Sequence, residues 1–148
     1  MKTIYDPATL NELTARISKL NMQSTAQWGK MNVYQMLRHN TLWEEMMLRK
    51  IKFRRVFIGR IFGKIALNDL IKDDRPLKRG MPTIKGFAIT DTNGNIEEEK
   101  NKWIALLREH AGSTGKMFFH PFFGNMTKEQ TGRLAYKHSN HHLQQFGC

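Results

Sequence analysis

The chain has 148 residues, of which 40% are hydrophobic, and a formal net charge of +11 at pH 7. This length suits one core, so we expect a single domain over residues 1–148. The sequence lacks the apolar region of a signal peptide and the ~18-residue apolar run of a membrane span, so we expect a cytoplasmic protein with no membrane partner.

Two amphipathic helices are predicted at the start of the chain. Asp6 and Pro7 form a favourable helix start, and the apolar residues that follow at spacings of three and four predict a helix over residues 7–20. A second helix is predicted over residues 32–50, with His39 in the middle of its apolar stripe. A lone histidine there is more often a core residue bonded to a neighbour than a ligand.

Residues 51–71 carry a wide apolar face together with several cations, although Gly59 and Gly63 weaken the segment as one continuous helix. This composition is typical of a membrane-surface helix or a partner-docking helix, but we favour a helical excursion packed on a helix bundle with its cations outward. Proline and glycine then predict an extended connection over residues 72–93, of the kind that often covers a site.

The positive charge is concentrated in residues 50–79. The cations there are Lys50, Lys52, Arg54, Arg55, Arg60, Lys64, Lys72, Arg75, Lys78 and Arg79. We favour a solvated basic face over a nucleic-acid surface, because zinc-finger, RNA-recognition and basic-zipper signatures are absent. Arg75, Lys78 and Arg79 on the connection are candidates to attract a substrate carboxylate, with plain solvated charges as the alternative.

A third bundle helix is predicted from Asn95 to Gly112, since three glutamates occupy its first turn. The next segment, residues 116–124, has four phenylalanines around His120 and Pro121. It is too aromatic for a flexible linker, so we expect it to close one end of the bundle or to wall a pocket. His120 is a candidate site residue, or it forms a structural hydrogen bond.

The last helix is predicted over residues 128–146. Thr127 and Gln130 form a capping box, and Gly147 ends the helix before the only cysteine, Cys148, which therefore excludes an intrachain disulfide. At 100° per residue its inward side carries three histidines and a glutamine, which are His138, His141, His142 and Gln145. Buried imidazoles without partners cost about 1–3 kcal/mol each, so these ring nitrogens need occupants.

A metal ion is the leading candidate. His138 and His142 are four residues apart, so one helix face presents both rings, and His39 from a facing helix would complete a three-histidine set. Such a set suits Zn²⁺, Ni²⁺ or Fe²⁺. Ser139 follows His138, so the zincin motif is absent. His141 competes as a ligand or contacts substrate, and a polar core that holds no metal is a further alternative.

Three motifs, QMLRHN, HPFFGNMT and YKHSNHHLQQFG, resemble the DinB-like superfamily, also called YfiT-type metal-dependent proteins. Specifically, they resemble a branch that carries very similar HPFFG and KHxxHHLxQFG signatures, and the resemblance also covers WGKM and RPLKRGMPT. It implies an all-α fold, a four-helix bundle of up-down-down-up topology, here with an added excursion between helices two and three. Asn140 departs from the aspartate expected in many branch members, which would remove a hydrogen-bond acceptor for a ligand histidine.

The resemblance implies that His39, His138 and His142 hold a divalent metal. Some members of the superfamily transfer low-molecular-weight thiols and others are hydrolase-like. We therefore expect a metal-dependent enzyme that acts on a small anionic substrate, with thiol S-transfer as the favoured reaction. Bundles of this family often pair, so a homodimer is also an expectation. The alternative is a non-catalytic module that binds a metal or an acidic partner through the basic surface of residues 50–79.

Overall fold

The computed structural model of the chain describes residues 1–84, 86–115 and 117–148. Within them it is mostly helical, with five helices and one two-stranded sheet: α1 Pro7–Ser18, α2 Val33–Met47, α3 Phe57–Ile71, α4 Ile96–Gly112, β1 Met117–His120, β2 Gly124–Thr127 and α5 Lys128–Gln145. Lys85 and Lys116, which belong to two of the predicted segments, lie outside the described residues.

The predicted helix starts are confirmed by their caps. The Asp6 carboxylate accepts the Thr9 backbone N–H at 3.0 Å, with Pro7 at the first helical position. Thr127 and Gln130 form the predicted capping box at the start of α5. The second helix is shorter than predicted, because it ends at Met47.

The all-α prediction missed a β-hairpin in the aromatic segment. Strands β1 and β2 pair antiparallel, with Phe118 opposite Met126 and His120 opposite Gly124. Phe118, His120 and Met126 are buried, so the hairpin does turn its aromatic face inward. Each strand has four residues, which is too short for a period of two to stand out from the surrounding helical pattern.

The helices pack around one core. Helix α4 contacts α1 and α2, while α5 contacts α1, α3 and both hairpin strands. Fully buried side chains from all five helices fill the centre; the largest include Leu13, Met36, Leu67, Trp103 and Leu143. Packing α2 and α5 into this core positions the polar residues on their inward faces.

The predicted helical segment between α2 and α4 is present as α3, which packs on α5 and β2. Its large apolar side chains, Phe57, Ile58, Ile61, Phe62 and Ile65, are exposed, whereas the prediction had this face packed inward and the cations outward. Among the residues that the structure describes, none of the helices combines the length and the apolar character that crossing a bilayer requires.

Candidate metal centre

Three histidines from two helices meet inside the fold. His39 comes from α2, and His138 and His142 come from consecutive turns of α5. One ring nitrogen from each lies within 4.8 Å of the others, an arrangement that could hold a metal ion. His39 and His142 are each 7% exposed, whereas His138 is half-buried. The cluster is therefore largely buried, with His138 on the side nearer to solvent.

The tautomers of two of these imidazoles follow from their neighbours. Nδ1 of His39 lies 3.0 Å from the carbonyl oxygen of Phe87, and Nδ1 of His142 lies 2.9 Å from Oε1 of Gln145. Because both oxygens can only accept, each Nδ1 carries the proton and donates it. Nε2 of each ring is then left with a free lone pair, which is the form in which imidazole binds metals.

Gln145 is itself held in place. Its Nε2 donates to the backbone oxygen of Trp28 at 2.8 Å, so its Oε1 is turned towards His142. An amide oriented in this way fixes both the tautomer and the angle of the imidazole it accepts from. The inward-facing glutamine of the predicted last helix thus supports a histidine of the cluster.

His138 is positioned by an aromatic neighbour. Its ring stacks on the Trp43 indole, with ring centres 4.8 Å apart and planes inclined by 18°. Nε2 of His138 lies 3.2 Å from Nε2 of His39. Since the His39 proton is on Nδ1, Nε2 of His39 is a lone pair. Nε2 of His138 either donates a proton to it or presents a second lone pair, and in the second tautomer a cation between the rings would satisfy both lone pairs.

Burial lowers the pKa values of the three histidines and so keeps the cluster neutral. Burial lowers the pKa of His39, and it lowers the pKa of His142 to about 3, with His39 as a further cause. Burial, followed by His142 and His39, lowers the pKa of His138 well below 6.5. At neutral pH three uncharged imidazoles therefore converge, and a divalent cation fits the donor set they form.

His141 borders the cluster. It is half-buried, and its ring centre lies 5.2 Å from that of His142 and 6.1 Å from that of Trp28. Burial lowers its pKa, while the Leu77 backbone raises it. His141 thus faces the connection after α3 rather than the three converging nitrogens.

His120 is engaged within the hairpin. Its Nδ1 accepts the backbone N–H groups of Phe122 at 3.1 Å and Phe123 at 3.2 Å. Burial, with Arg55 as the second cause, lowers its pKa to about 3. These contacts correspond to the structural role that was the alternative for this residue.

The three loop cations have different surroundings. The Arg79 guanidinium lies 4.0 Å from the centre of the Trp28 ring, and Trp28 also contacts His141, so Arg79 lies at the edge of the site. Arg75 pairs with Asp73 at 2.7 Å, and Lys78 is exposed. The structure thus brings one of the three candidates, Arg79, to the cluster.

A buried pair outside the three-histidine cluster, Glu44 and His110, was not predicted from the sequence. Oε2 of Glu44 lies 2.7 Å from Nδ1 of His110, and both side chains are fully buried. Burial raises the pKa of Glu44, against the lowering effect of His110. Helical periodicity could have indicated that Glu44 is buried, because it lies on one buried face of α2 together with Val33, Leu37, Asn40 and Met47.

A search of the curated proteins found no match, and a search of the solved structures found none either. The family model described as the DinB superfamily matches residues 5–146, nearly the whole chain. Together with a helical fold whose inward histidines form a candidate metal site, this match shows that the chain belongs to the DinB superfamily.

Proposed function

We propose that His39, His138 and His142 bind one divalent metal ion, with Zn²⁺, Ni²⁺ or Fe²⁺ as the candidates. The observation that carries this proposal is the convergence of three neutral imidazoles within 4.8 Å, two of them with Nδ1 already donating to an oxygen. Imidazole suits all three metals, and three protein ligands leave coordination positions open.

We further propose that α1, α2, α4 and α5 form a four-helix bundle of up-down-down-up topology within a single domain of residues 1–148. The contacts of α4 with α1 and α2 and of α1 with α5 support this arrangement, and α3 lies outside it as the excursion. The cytoplasmic location stays a prediction.

We propose that the site is catalytic and acts on a small anionic substrate. A divalent metal held by three imidazoles would lower the pKa of a bound thiol or water, which would then be available as a nucleophile near neutral pH. Thiol S-transfer with a low-molecular-weight thiol is the favoured reaction, and a hydrolase-type reaction is the second.

The surrounding residues have separable tasks in this proposal. Trp43 covers one face of His138 and excludes water from it. Arg79, held on the Trp28 ring, offers a cation to a substrate carboxylate at the open edge. His141 at the same edge is the better candidate for proton transfer, because the Nδ1 lone pair of His120 already accepts two backbone N–H groups.

The test is a conjugation assay on metal-reconstituted protein. Wild type, His138→Ala and His120→Asn are incubated with a low-molecular-weight thiol and an electrophilic acceptor, and the thioether product is quantified; ester and amide hydrolysis are assayed in parallel. We expect turnover in wild type and His120→Asn and none in His138→Ala. Full metal loading without turnover of either substrate class in wild type would contradict the catalytic proposal but not the metal site.

The alternative proposal is a non-catalytic module that uses the basic surface of residues 50–79. The exposed cations Lys52, Arg54 and Arg60 favour it. Salt-dependent retention on DNA or RNA that survives metal chelation would support this alternative, since phosphate contacts release counterions and require no metal.

A further inference from the structure

Helix α3 turns its most apolar face to solvent. Five large side chains of this face are exposed: Phe57 by 75%, Ile58 by 55%, Ile61 by 58%, Phe62 by 53% and Ile65 by 69%. At 100° per residue they cover a continuous arc of about 140°. Single exposed apolar residues are ordinary on a protein surface, but a contiguous arc of this kind marks an interaction site.

The orientation of α3 is fixed by its opposite side. A Cβ at Gly59 or at Gly63 would lie 2.3 Å or 2.2 Å from the Phe122 backbone oxygen, so the helix packs against the hairpin turn through these two glycines. The Arg55 guanidinium adds hydrogen bonds to the Gly59 oxygen at 2.7 Å and to the Pro121 oxygen at 2.9 Å. The apolar arc cannot turn inward without losing this contact.

Cations predominate along the chain around the arc. Residues 47–68 contain no acidic side chain, whereas their cations are Arg49, Lys50, Lys52, Arg54, Arg55, Arg60 and Lys64. Lys52, Arg54, Arg60 and Lys64 are exposed. Arg60 and Lys64 lie along one edge of the arc, and Lys52 and Arg54 precede it. The nearest acid on α3, Asp69, pairs with Lys72.

We propose that α3 is a membrane-surface helix that docks the protein onto an anionic lipid bilayer. Phenylalanine and isoleucine on one face with arginine and lysine beside it are the features of helices that lie in the interface plane with their apolar side in the headgroup boundary. The cations would contact anionic headgroups, each adding attraction near the surface.

A second copy of this chain is a poorer occupant. A two-fold interface brings the same patch of each copy together and must be complementary to itself. Here Arg60 and Lys64 lie along one edge of the apolar arc, so two copies would bring like charges close together at that edge, which is unfavourable. An anionic surface complements both the arc and its border.

The test is co-sedimentation of the full chain with vesicles. Phosphatidylcholine vesicles are compared with vesicles of phosphatidylcholine and phosphatidylglycerol, for wild type, the double variant Ile61→Ser/Ile65→Ser, the double variant Arg54→Gln/Arg60→Gln and the control Met22→Ser. Met22 is 77% exposed but lies far from α3 in the chain, so it matches the loss of an exposed apolar side chain. Circular dichroism verifies that each variant is folded.

We expect wild type and Met22→Ser to bind the anionic vesicles at least tenfold more strongly than the neutral ones. Ile61→Ser/Ile65→Ser should lose at least tenfold of this affinity, and Arg54→Gln/Arg60→Gln should lose affinity and some of the salt dependence. Equal affinity of folded wild type and folded Ile61→Ser/Ile65→Ser would overturn the proposal. So would a dimer mass in light scattering that this variant reduces to a monomer mass, since the arc would then be covered by a second copy.

Discussion

Two groups that contain histidine lie beside the Trp43 indole, and they bury their imidazoles in different ways. The His138 ring lies 4.8 Å from the Trp43 ring centre, and the His110 ring lies 6.3 Å from it. His110 is paired with the carboxylic group of Glu44, whereas His39, His138 and His142 have each other. Only the second cluster directs several free nitrogen atoms at one point.

The difference explains which cluster is a candidate to bind a metal. Oε2 of Glu44 and Nδ1 of His110 lie 2.7 Å apart and satisfy each other without any ion, while Oε1 of Glu44 and Nε2 of His110 have no partner among the described residues. The three-histidine cluster has no acid among its members, and its pKa values lie below the ordinary range. Three neutral imidazoles therefore converge with no anionic group among them, and a cation would bind their free lone pairs.

The largest expected effect is the loss of Glu44. Glu44→Ala removes the partner of a fully buried histidine and leaves a cavity, so we expect a loss of about 3–5 kcal/mol of unfolding free energy. Urea unfolding measures it, with the exposed Glu98→Ala as the control and Glu44→Gln as a milder variant. Metal content of the folded fraction should be unchanged; its loss in Glu44→Ala would show that the two clusters are not independent.

The next effect concerns the support of a ligand histidine. Gln145→Ala removes the acceptor of the His142 N–H, and loss of such partners typically lowers metal affinity by about 10–100-fold. Competition with a chelator of known affinity measures the change. Gln144→Ala, one residue earlier and exposed, is the matched control and should bind like wild type. Equal affinity of the two variants would remove Gln145 from the account.

The pH dependence of stability follows from the lowered pKa values. Histidines with a folded-state pKa of about 3, such as His120, stay neutral in the folded protein while the unfolded chain takes up protons below about 6.5. Stability is therefore fully present above 6.5 and falls with pH from there towards 3. At pH 5 each such group costs about 2 kcal/mol.

Urea unfolding of metal-free protein at pH 7 and pH 5 tests this dependence. The variant His120→Asn keeps an acceptor for the hairpin N–H groups but has no titrating ring, so it should lose about 2 kcal/mol less than wild type between these two pH values. The same pH dependence in both proteins would mean that His120 is not buried in its neutral form.

The smallest effect is expected at the edge of the site. Arg79→Ala removes the guanidinium from the Trp28 ring, a contact worth about 0.5–1 kcal/mol at an exposed position. We expect a change of that size in unfolding free energy, with unchanged metal affinity and weaker binding of anionic ligands. Lys78→Ala is the control on the same connection. A loss of metal in Arg79→Ala would place this residue closer to the ligands than the structure does.

Much of the candidate site could be predicted from the sequence, because a helix fixes the relative positions of residues four apart. The side-by-side rings of His138 and His142 follow from that geometry alone, and the apolar stripe of the second helix indicated His39, in agreement with the family resemblance. The Phe87 oxygen that holds His39 could not be predicted, since it is a backbone atom of an irregular connection. Helical periodicity likewise places Glu44 on a buried face without showing that His110 of α4 lies opposite.

Prediction of the fold from the sequence was limited in the same way. Caps and apolar spacing predicted every helix, whereas the short hairpin gave no clear period. The orientation of α3 was also beyond prediction, because its apolar arc alone favours burial, and the two glycines that turn it outward act through a contact with Phe122. Tertiary contacts between distant segments decide such cases.

Metal content per chain of untagged protein is the most direct test of the three-histidine site. Wild type, His39→Ala and His142→Ala are compared with His110→Ala, which removes a buried histidine outside the cluster, each after reconstitution with Zn²⁺, Ni²⁺ or Fe²⁺. We predict about one ion per chain in wild type and in folded His110→Ala, and none in the other two variants. No bound metal in reconstituted wild type, or full retention in His39→Ala and His142→Ala, would contradict it.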